Sequence, residues 1–235
     1  MIGADPSLAA RRGENGVMRQ ASNPHPADTI LLSIKQLSDT TSATAVGPEL
    51  SVYLSIAQWI RSYLMRPHPD LGRSGDVCPF TTRAFRLDTI RIGVCRARSS
   101  DNASIKRCMR YCFRQFALMP CPPSMRHFRT IIVAFPELDG PMGLERLKRV
   151  QNRLNIYCLL RGLMLARFHA ESDDPGLWSP GFRPLRAPIP LMVIRQLVKE
   201  DAPFAIRHPL LIPTYVCRYF LAAPKRLLAS LAKER

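Results

Sequence analysis

The chain of 235 residues carries 34 Lys and Arg against 18 Asp and Glu, so its formal net charge at pH 7 is +16. Hydrophobic residues make up 46% of it, which is ordinary for a globular protein with one sizeable core. No run of about 18 uncharged apolar residues is present, which excludes a conventional membrane-spanning helix, and the N-terminus lacks a signal-peptide pattern. We therefore expect a cytoplasmic protein without a membrane partner, whose positive surface favours anionic ligands.

The seven cysteines are odd in number and include no C-x-x-C pair. With no secretion signal, this predicts free thiols rather than a disulfide framework or a structural zinc site. Cys108 and Cys112 are one helical turn apart but fall within an apolar stripe, so we assign them to the core. The nucleophile elbow, the Walker phosphate loop and the dinucleotide-binding glycine pattern are also missing from the sequence.

The N-terminal segment, residues 1–46, shows no sustained periodicity. We expect it to be disordered or peripheral, apart from one short element at 30–34. Residues 47–235 are predicted to form a single α+β domain. Its first helix is indicated by apolar residues that recur at helical spacing over 50–64, and Pro67 ends it.

Four strands are predicted between residues 89 and 195. Alternating apolar residues at 89–94 indicate a strand with one buried face, whereas the continuous apolar run 130–135 indicates a central strand covered on both faces. Further strands are predicted at 162–169 and 189–195.

Two helices connect the first three strands, and their apolar stripes run from Ile105 to Phe116 and from Leu144 to Cys158. If the connected strands are parallel, right-handed crossovers place both helices on the same side of the sheet. We therefore predict an α+β fold with an about four-stranded β-sheet, two crossover helices on one face, an N-terminal helix and C-terminal helices.

The loop 68–80 is the first segment whose residues could carry chemistry. Its glycines let the backbone approach a bound group, and Arg73 could clamp a carboxylate or phosphate through two donors. His68 could act as base, acid or metal ligand, and a Cys78 thiolate could act as nucleophile or ligate haem iron. The alternative is a structural loop in which Cys78 plugs the core, Arg73 pairs with a nearby Asp, and His68 caps a helix end.

The second such segment runs from residue 162 to residue 195. Side-chain alternation puts Arg167 and His169 on one face of their strand, and we expect His169 and Arg195 to face a common pocket. The proline-rich arm, residues 173–190, contains five prolines, which indicate an ordered lid or binding loop rather than a linker. Its candidate binding residues are Trp178, Arg183 and Arg186. The alternative is a rigid wrap over the sheet.

Both connecting helices carry arginines at helical spacing on the side away from the apolar stripe. They are Arg107, Arg110 and Arg114 in the first helix, and Arg146, Arg149 and Arg153 in the second. The simplest interpretation is a solvated face, and the functional one is a basic platform for nucleic acid or an acidic protein.

Three motifs carry a resemblance to known families. The segments HPDLGRSGDVCPF at 68–80, GLMLARFH at 162–169 and FRPLRAPIP at 182–190 resemble a bacterial family of uncharacterised domains, over about residues 50–205. The order of a Cys-Pro-Phe segment, a strand, a helix and a strand ending at Phe135-Pro136 also resembles haem-dependent amine and guanidine N-hydroxylases. That resemblance implies a haem pocket with His169 or His68 as the axial iron ligand. The arginines that would bind propionates or substrate are Arg73, Arg183, Arg186 and Arg195.

The sequence thus favours a small-molecule enzyme of oxygenase or N-hydroxylase type, with a haem pocket and an anionic or amino-acid-like substrate. One alternative is a non-enzymatic basic module for nucleic acid or an acidic partner. Another is a cofactor-free enzyme that uses His68 and Cys78. The enzyme hypotheses require the loop 68–80 and the strand ending at His169 to meet beneath the proline-rich arm.

Overall fold

The computed structural model describes residues 29–97, 102–176, 179–198 and 201. Within these ranges, a mixed β-sheet is covered by helices on both faces, which confirms the predicted α+β class. The strands are β1 (Leu32–Ser33), β2 (Ile90–Val94), β3 (Thr130–Ala134), β4 (Leu163–Phe168) and β5 (Leu191–Gln196). The helices are α1 (Thr40–Val46), α2 (Leu50–Trp59), α3 (Thr81–Arg86), α4 (Asn102–Leu118) and α5 (Pro141–Leu160).

The sheet has the strand order β1-β2-β3-β5-β4. β2 and β3 are parallel, whereas β5 is antiparallel to both of its neighbours, β3 and β4. β3 and β4 therefore run in the same direction, and α4 and α5 are both crossovers between parallel strands. The four predicted strands are all present, and the short β1 adds a fifth at the edge.

Alternating side chains of β3 divide the apolar core in two. Ile131 and Val133 pack on the side covered by α4 and α5, whereas Ile132 and Ala134 pack on the side covered by α2. The predicted stripe of α4 is buried in the first of these cores together with Leu147 of α5, which confirms that both crossover helices lie on one face.

The N-terminal boundary at residue 47 was placed too late, because the described part of the segment, residues 29–46, is folded. It contributes β1 and α1, and Leu32, Leu37 and Val46 are buried in the α2-side core. β1 lies within the short element expected at 30–34, whereas α1 and the burial of Leu37 and Val46 were not predicted. Residues 1–28 and the predicted C-terminal helices after residue 201 lie outside the described residues.

The described part of the proline-rich arm is held against the end of α2. After Trp59 the helix widens into a π-helical turn, Ile60–Leu64. The indole nitrogen of Trp59 donates to the carbonyl of Arg186 at 3.1 Å, and the hydroxyl of Tyr63 donates to the carbonyl of Arg183 at 3.2 Å. The described part of the arm therefore packs as a layer over the α2 side of the sheet. Among the described residues, no helix is both long and apolar enough to cross a membrane.

Candidate functional site

An open groove of about 410 Å³ lies between the N-terminal half of α5 and the chain that follows β4. We call it the His169 groove. It is lined by Pro141, Leu144, Glu145 and Lys148 of α5, Arg167 of β4, and His169, Glu171, Asp173 and Asp174 of the following turn.

Local structure explains why these side chains converge. Pro141, Leu144, Glu145 and Lys148 are spaced at i, i+3, i+4 and i+7, which puts them on one face of α5. Side chains of β4 alternate, so Arg167 points to the same side of the sheet as Leu165, toward α5. His169 follows the last residue of the strand in the same alternation, which confirms that Arg167 and His169 share a face.

His169 is the groove residue best suited to proton transfer. Its Nδ1 is buried and has no hydrogen-bond partner among the described residues. Burial lowers the pKa of His169 below its ordinary value, and the positive charge of Arg167 lowers it further. The imidazole is therefore neutral at pH 7 and able to accept a proton.

The backbone of His169 is fixed by the proline-rich arm. Its N–H donates to the carbonyl of Leu185 at 3.3 Å, and its carbonyl accepts from the N–H of Ala187 at 3.4 Å. Through these two bonds the arm sets the position of the ring, although the arm's own side chains do not line the groove beyond Asp173 and Asp174 in its described part.

The groove is negative, although the chain as a whole is strongly positive. It presents four carboxylates against the cations Lys148 and Arg167. Some of these charges are already paired: Asp173 lies 3.6 Å from Arg186, and Glu145 lies 3.1 Å from Arg149. Glu171, Asp174 and Lys148 have no ion-pair partner among the described residues.

The loop 68–80 lies on the opposite side of the sheet, in contact with the α2-side core. His68 Nδ1 accepts from the N–H of Asp70 at 3.2 Å, and Arg73 donates to the carbonyls of Asp76 and Val77 at 2.9 and 3.1 Å. Cys78 is half-buried against the same core. These contacts match the structural interpretation of the loop, except that Arg73 binds carbonyl oxygens rather than an Asp side chain.

His68 and His169 reach the same arm from different sides. The His68 ring lies 4.6 Å from the ring of Phe182, whereas His169 binds the arm through its backbone. His68 is not among the residues that line the His169 groove. The predicted approach of the two segments to the arm is therefore present, but their histidines do not share this groove.

The expected pairing of His169 with Arg195 is wrong. Arg195 lies opposite Met164 in the β4–β5 register, whereas the end of β4, Phe168, lies opposite Leu191. Arg195 is thus at the other end of the sheet and faces the ring of Phe80 on the α2 side. The expectation assumed that the C-terminal ends of β4 and β5 lie side by side. Because the two strands are antiparallel, the C-terminal end of β4 lies beside the N-terminal end of β5.

Arg195 forms a structural ion pair rather than a free anion site. Its Nη1 donates to Oδ2 of Asp201 at 2.8 Å, and its Nη2 donates to Oδ1 of the same carboxylate. Asp201 is buried and also accepts from the N–H of Val198, so the pair closes the end of β5.

The other two predicted arginines, Arg183 and Arg186, do not line the groove but contact the turn that carries Asp173. Nε of Arg186 donates to the carbonyl of Ser172 at 3.2 Å, and Nε of Arg183 lies 4.0 Å from Asp173. They hold the turn that carries the groove's carboxylates. Trp178 lies outside the described residues.

A protein-family model matches residues 53–229, most of the chain. The chain belongs to DUF6875, a domain of unknown function. The match confirms the resemblance to a family of uncharacterised domains. The matched range includes all three motif segments. Searches of curated proteins and of solved structures gave no match.

Within this DUF6875 domain, the His169 groove does not fit haem. A porphyrin needs apolar walls and its propionates need cations, whereas the groove offers four carboxylates and only Pro141 and Leu144 as apolar residues. At the other candidate ligand, His68, the Nδ1 already accepts a backbone hydrogen bond. Among the described residues, no three metal-ligating side chains cluster closely enough to hold a metal ion. Haem binding therefore remains a prediction from resemblance, and we derive no chemistry from it.

Sequence reasoning missed most of the groove's charged residues. Glu171 and Asp174 stand in the turn after a strand that was correctly predicted, and Glu145 and Lys148 share a polar edge of α5. The usable signal was the run of acidic residues directly after His169. The contribution of α5 could not be found in this way, because it depends on how the helix packs across β4.

Proposed function

We propose that the His169 groove is the active site of a small-molecule enzyme in which His169 accepts a proton from the bound ligand. The observation that carries this proposal is a neutral imidazole that lines the groove beside four carboxylates and two cations, with its pKa lowered by burial and by Arg167. Its Nδ1 is buried without a hydrogen-bond partner among the described residues, which costs about 1–3 kcal/mol and agrees with a functional role. A titratable group perturbed by both burial and a specific charge, and lining a groove, is a recognised mark of catalytic sites.

The charges of the groove support a ligand class that contains an ammonium or guanidinium group together with a carboxylate. Glu171 and Asp174 would bind the cationic group, and Lys148 would bind the carboxylate. This agrees with an amino-acid-like ligand better than with a simple anion, because carboxylates outnumber cations in the groove. A neutral His169 beside a bound ammonium group is placed to accept one of its protons.

Binding is tested with three related probes: an α-amino acid, the amine that lacks its carboxylate, and the N-acetyl derivative that lacks its ammonium charge. We expect the amino acid to bind most tightly, the amine less tightly, and the N-acetyl derivative least. Calorimetry gives the affinities, and NMR shifts of the His169 imidazole report on the site. His127, in the turn before β3, serves as the internal reference whose signal should not move.

Two variants separate proton transfer from binding. His169→Gln keeps a polar side chain of similar size, so it should retain ligand binding while abolishing turnover of any substrate found. Glu171→Gln and Asp174→Asn together should weaken the amine and the amino acid but leave the N-acetyl derivative unaffected. Equal binding of all three probes, or an unchanged His169 signal at saturation, rejects the proposal.

A further inference from the structure

The outer surface of α4 is unusually positive. The helix contains Lys106 and three arginines but no Asp or Glu. Arg107, Arg110 and Arg114 are all exposed. Among the described residues, none of these three arginines forms an ion pair, and only Arg107 has a side-chain partner, the hydroxyl of Ser104 at 3.1 Å.

This arrangement works against the stability of the isolated helix. Like charges three or four residues apart, such as Arg107 with Arg110 and Arg110 with Arg114, each cost about 0.2–0.5 kcal/mol. An external polyanion would relieve this repulsion.

The neighbouring helix α5 carries further exposed arginines and covers the same side of the sheet. The rings of Phe113 and Tyr157 lie 5.0 Å apart where the helices meet. Arg149 and Arg153 are exposed on α5, although Arg149 is paired with Glu145 at 3.1 Å. We therefore restrict the name basic helix face to the exposed side of α4, formed by Arg107, Arg110 and Arg114.

We propose that the basic helix face binds the phosphate backbone of double-stranded nucleic acid. Arg107 and Arg114 are separated by about 10 Å along the helix axis, a length over which a duplex presents about six phosphate charges. Guanidinium groups bind phosphate oxygens through two donors, which suits an arginine-rich surface. This binding would be independent of base sequence, because backbone contacts carry no sequence information.

A duplex fits this face better than a single strand. Single-strand sites place aromatic rings beside the cations so that bases can stack. The aromatic residues of the described helices α4 and α5 are instead buried or half-buried, and Tyr157 is already covered by Phe113 and by the guanidinium of Arg161. The exposed arginines of α4 therefore have no exposed aromatic ring of α4 or α5 beside them on which a base could stack.

The test is binding of the full chain to a short fluorescent DNA duplex of mixed sequence, measured by anisotropy over a range of salt concentrations. The variant Arg107→Gln/Arg110→Gln/Arg114→Gln should bind more weakly, and its salt-dependence slope should fall by about one for each arginine removed. The matched control is Arg66→Gln/Arg83→Gln/Arg86→Gln, which removes the same charge from exposed positions outside the two crossover helices. The control should retain most of the affinity and the slope.

Other outcomes overturn the proposal. Equal weakening by the two triple variants would mean that net charge alone attracts the duplex. Efficient displacement of the duplex by polyglutamate at equal charge concentration would assign the face to an acidic protein, and absence of binding at low salt would reject a polyanion site altogether. His169→Gln should leave the duplex affinity unchanged, so failure of the groove proposal and failure of this one are distinguishable.

Discussion

The guanidinium of Arg167 and the imidazole of His169 lie on the same side of the sheet and line the same groove. The positive charge of Arg167 lowers the pKa of His169, and the negative charge of Asp174 raises it, while burial exerts the largest effect and lowers it. The protonation of His169 is thus set by groove residues whose charges act in opposite directions.

Replacing these neighbours should therefore move the pKa of His169 in opposite directions. We expect Arg167→Gln to raise it, although not to its ordinary value, because burial remains. Asp174→Asn should lower it further. NMR titration of the imidazole measures both changes, with His127 as the reference ring. Shifts of the same sign in both variants would contradict this account of the groove.

The lowered pKa of His169 also predicts how stability depends on pH. In the unfolded chain His169 titrates near its ordinary pKa of 6.5, and in the folded chain it titrates below that value. Between the two pKa values the unfolded state binds more protons, so the free energy of unfolding falls as the pH falls through this window. His169→Gln lacks this titration.

Urea denaturation at about pH 7.5 and about pH 5.5 tests this expectation. Wild type should lose more free energy of unfolding between the two conditions than His169→Gln does. Other titrating groups are common to both proteins and cancel in the comparison. An equal loss would show that His169 is no harder to protonate in the folded state than in the unfolded state.

The sequence predicted what depends on local pattern. Period-two and continuous apolar runs located β2 to β5, and the stripe from Ile105 to Phe116 located the buried side of α4. The shared face of Arg167 and His169 also followed from alternation, whereas Arg195 lies on the opposite face. The residues that neighbour His169 across the sheet could not be predicted in this way. They depend on the insertion of β5 between β3 and β4, which is determined by packing of the whole sheet.

The residue types of loop 68–80 do not by themselves determine its role. The loop contains a His, an Arg between two glycines, and a Cys. These residues are compatible with a catalytic loop and equally with a structural loop whose side chains hydrogen-bond to its own backbone. The carbonyl oxygens of Asp76 and Val77 that receive Arg73 carry no sequence signal, because every residue has such an oxygen. Only the folded backbone decides between the two.

Attachment of the proline-rich arm through Tyr63 can be tested by removing one oxygen atom. Tyr63→Phe keeps the ring that packs near Phe182 but loses the hydrogen bond to the carbonyl of Arg183. We expect a loss of about 0.5–1.5 kcal/mol in the free energy of unfolding. Tyr111→Phe is the matched control, because no hydrogen bond of the Tyr111 hydroxyl is present among the described residues. An equal loss in both variants would contradict a specific role for the Tyr63 hydroxyl.

The start of α5 packs too closely against Leu138 to admit a side chain at Gly143. Gly143 is the third residue of the helix, and a Cβ atom there would lie 2.5 Å from the carbonyl oxygen and 2.7 Å from the Cα of Leu138. Ala is normally favoured over Gly inside a helix by about 1 kcal/mol, but these contacts are with backbone that cannot rotate away. We therefore expect Gly143→Ala to destabilise the protein by about 1–3 kcal/mol. Gly140→Ala is the control for space, since a Cβ there meets nothing within 4 Å. Its expected cost is limited to the replacement of a residue that is preferred over Ala just before a helix, so it should destabilise less than Gly143→Ala. Thermal unfolding compares the two, and a melting temperature of Gly143→Ala at or above that of Gly140→Ala would contradict the close packing of α5 against Leu138.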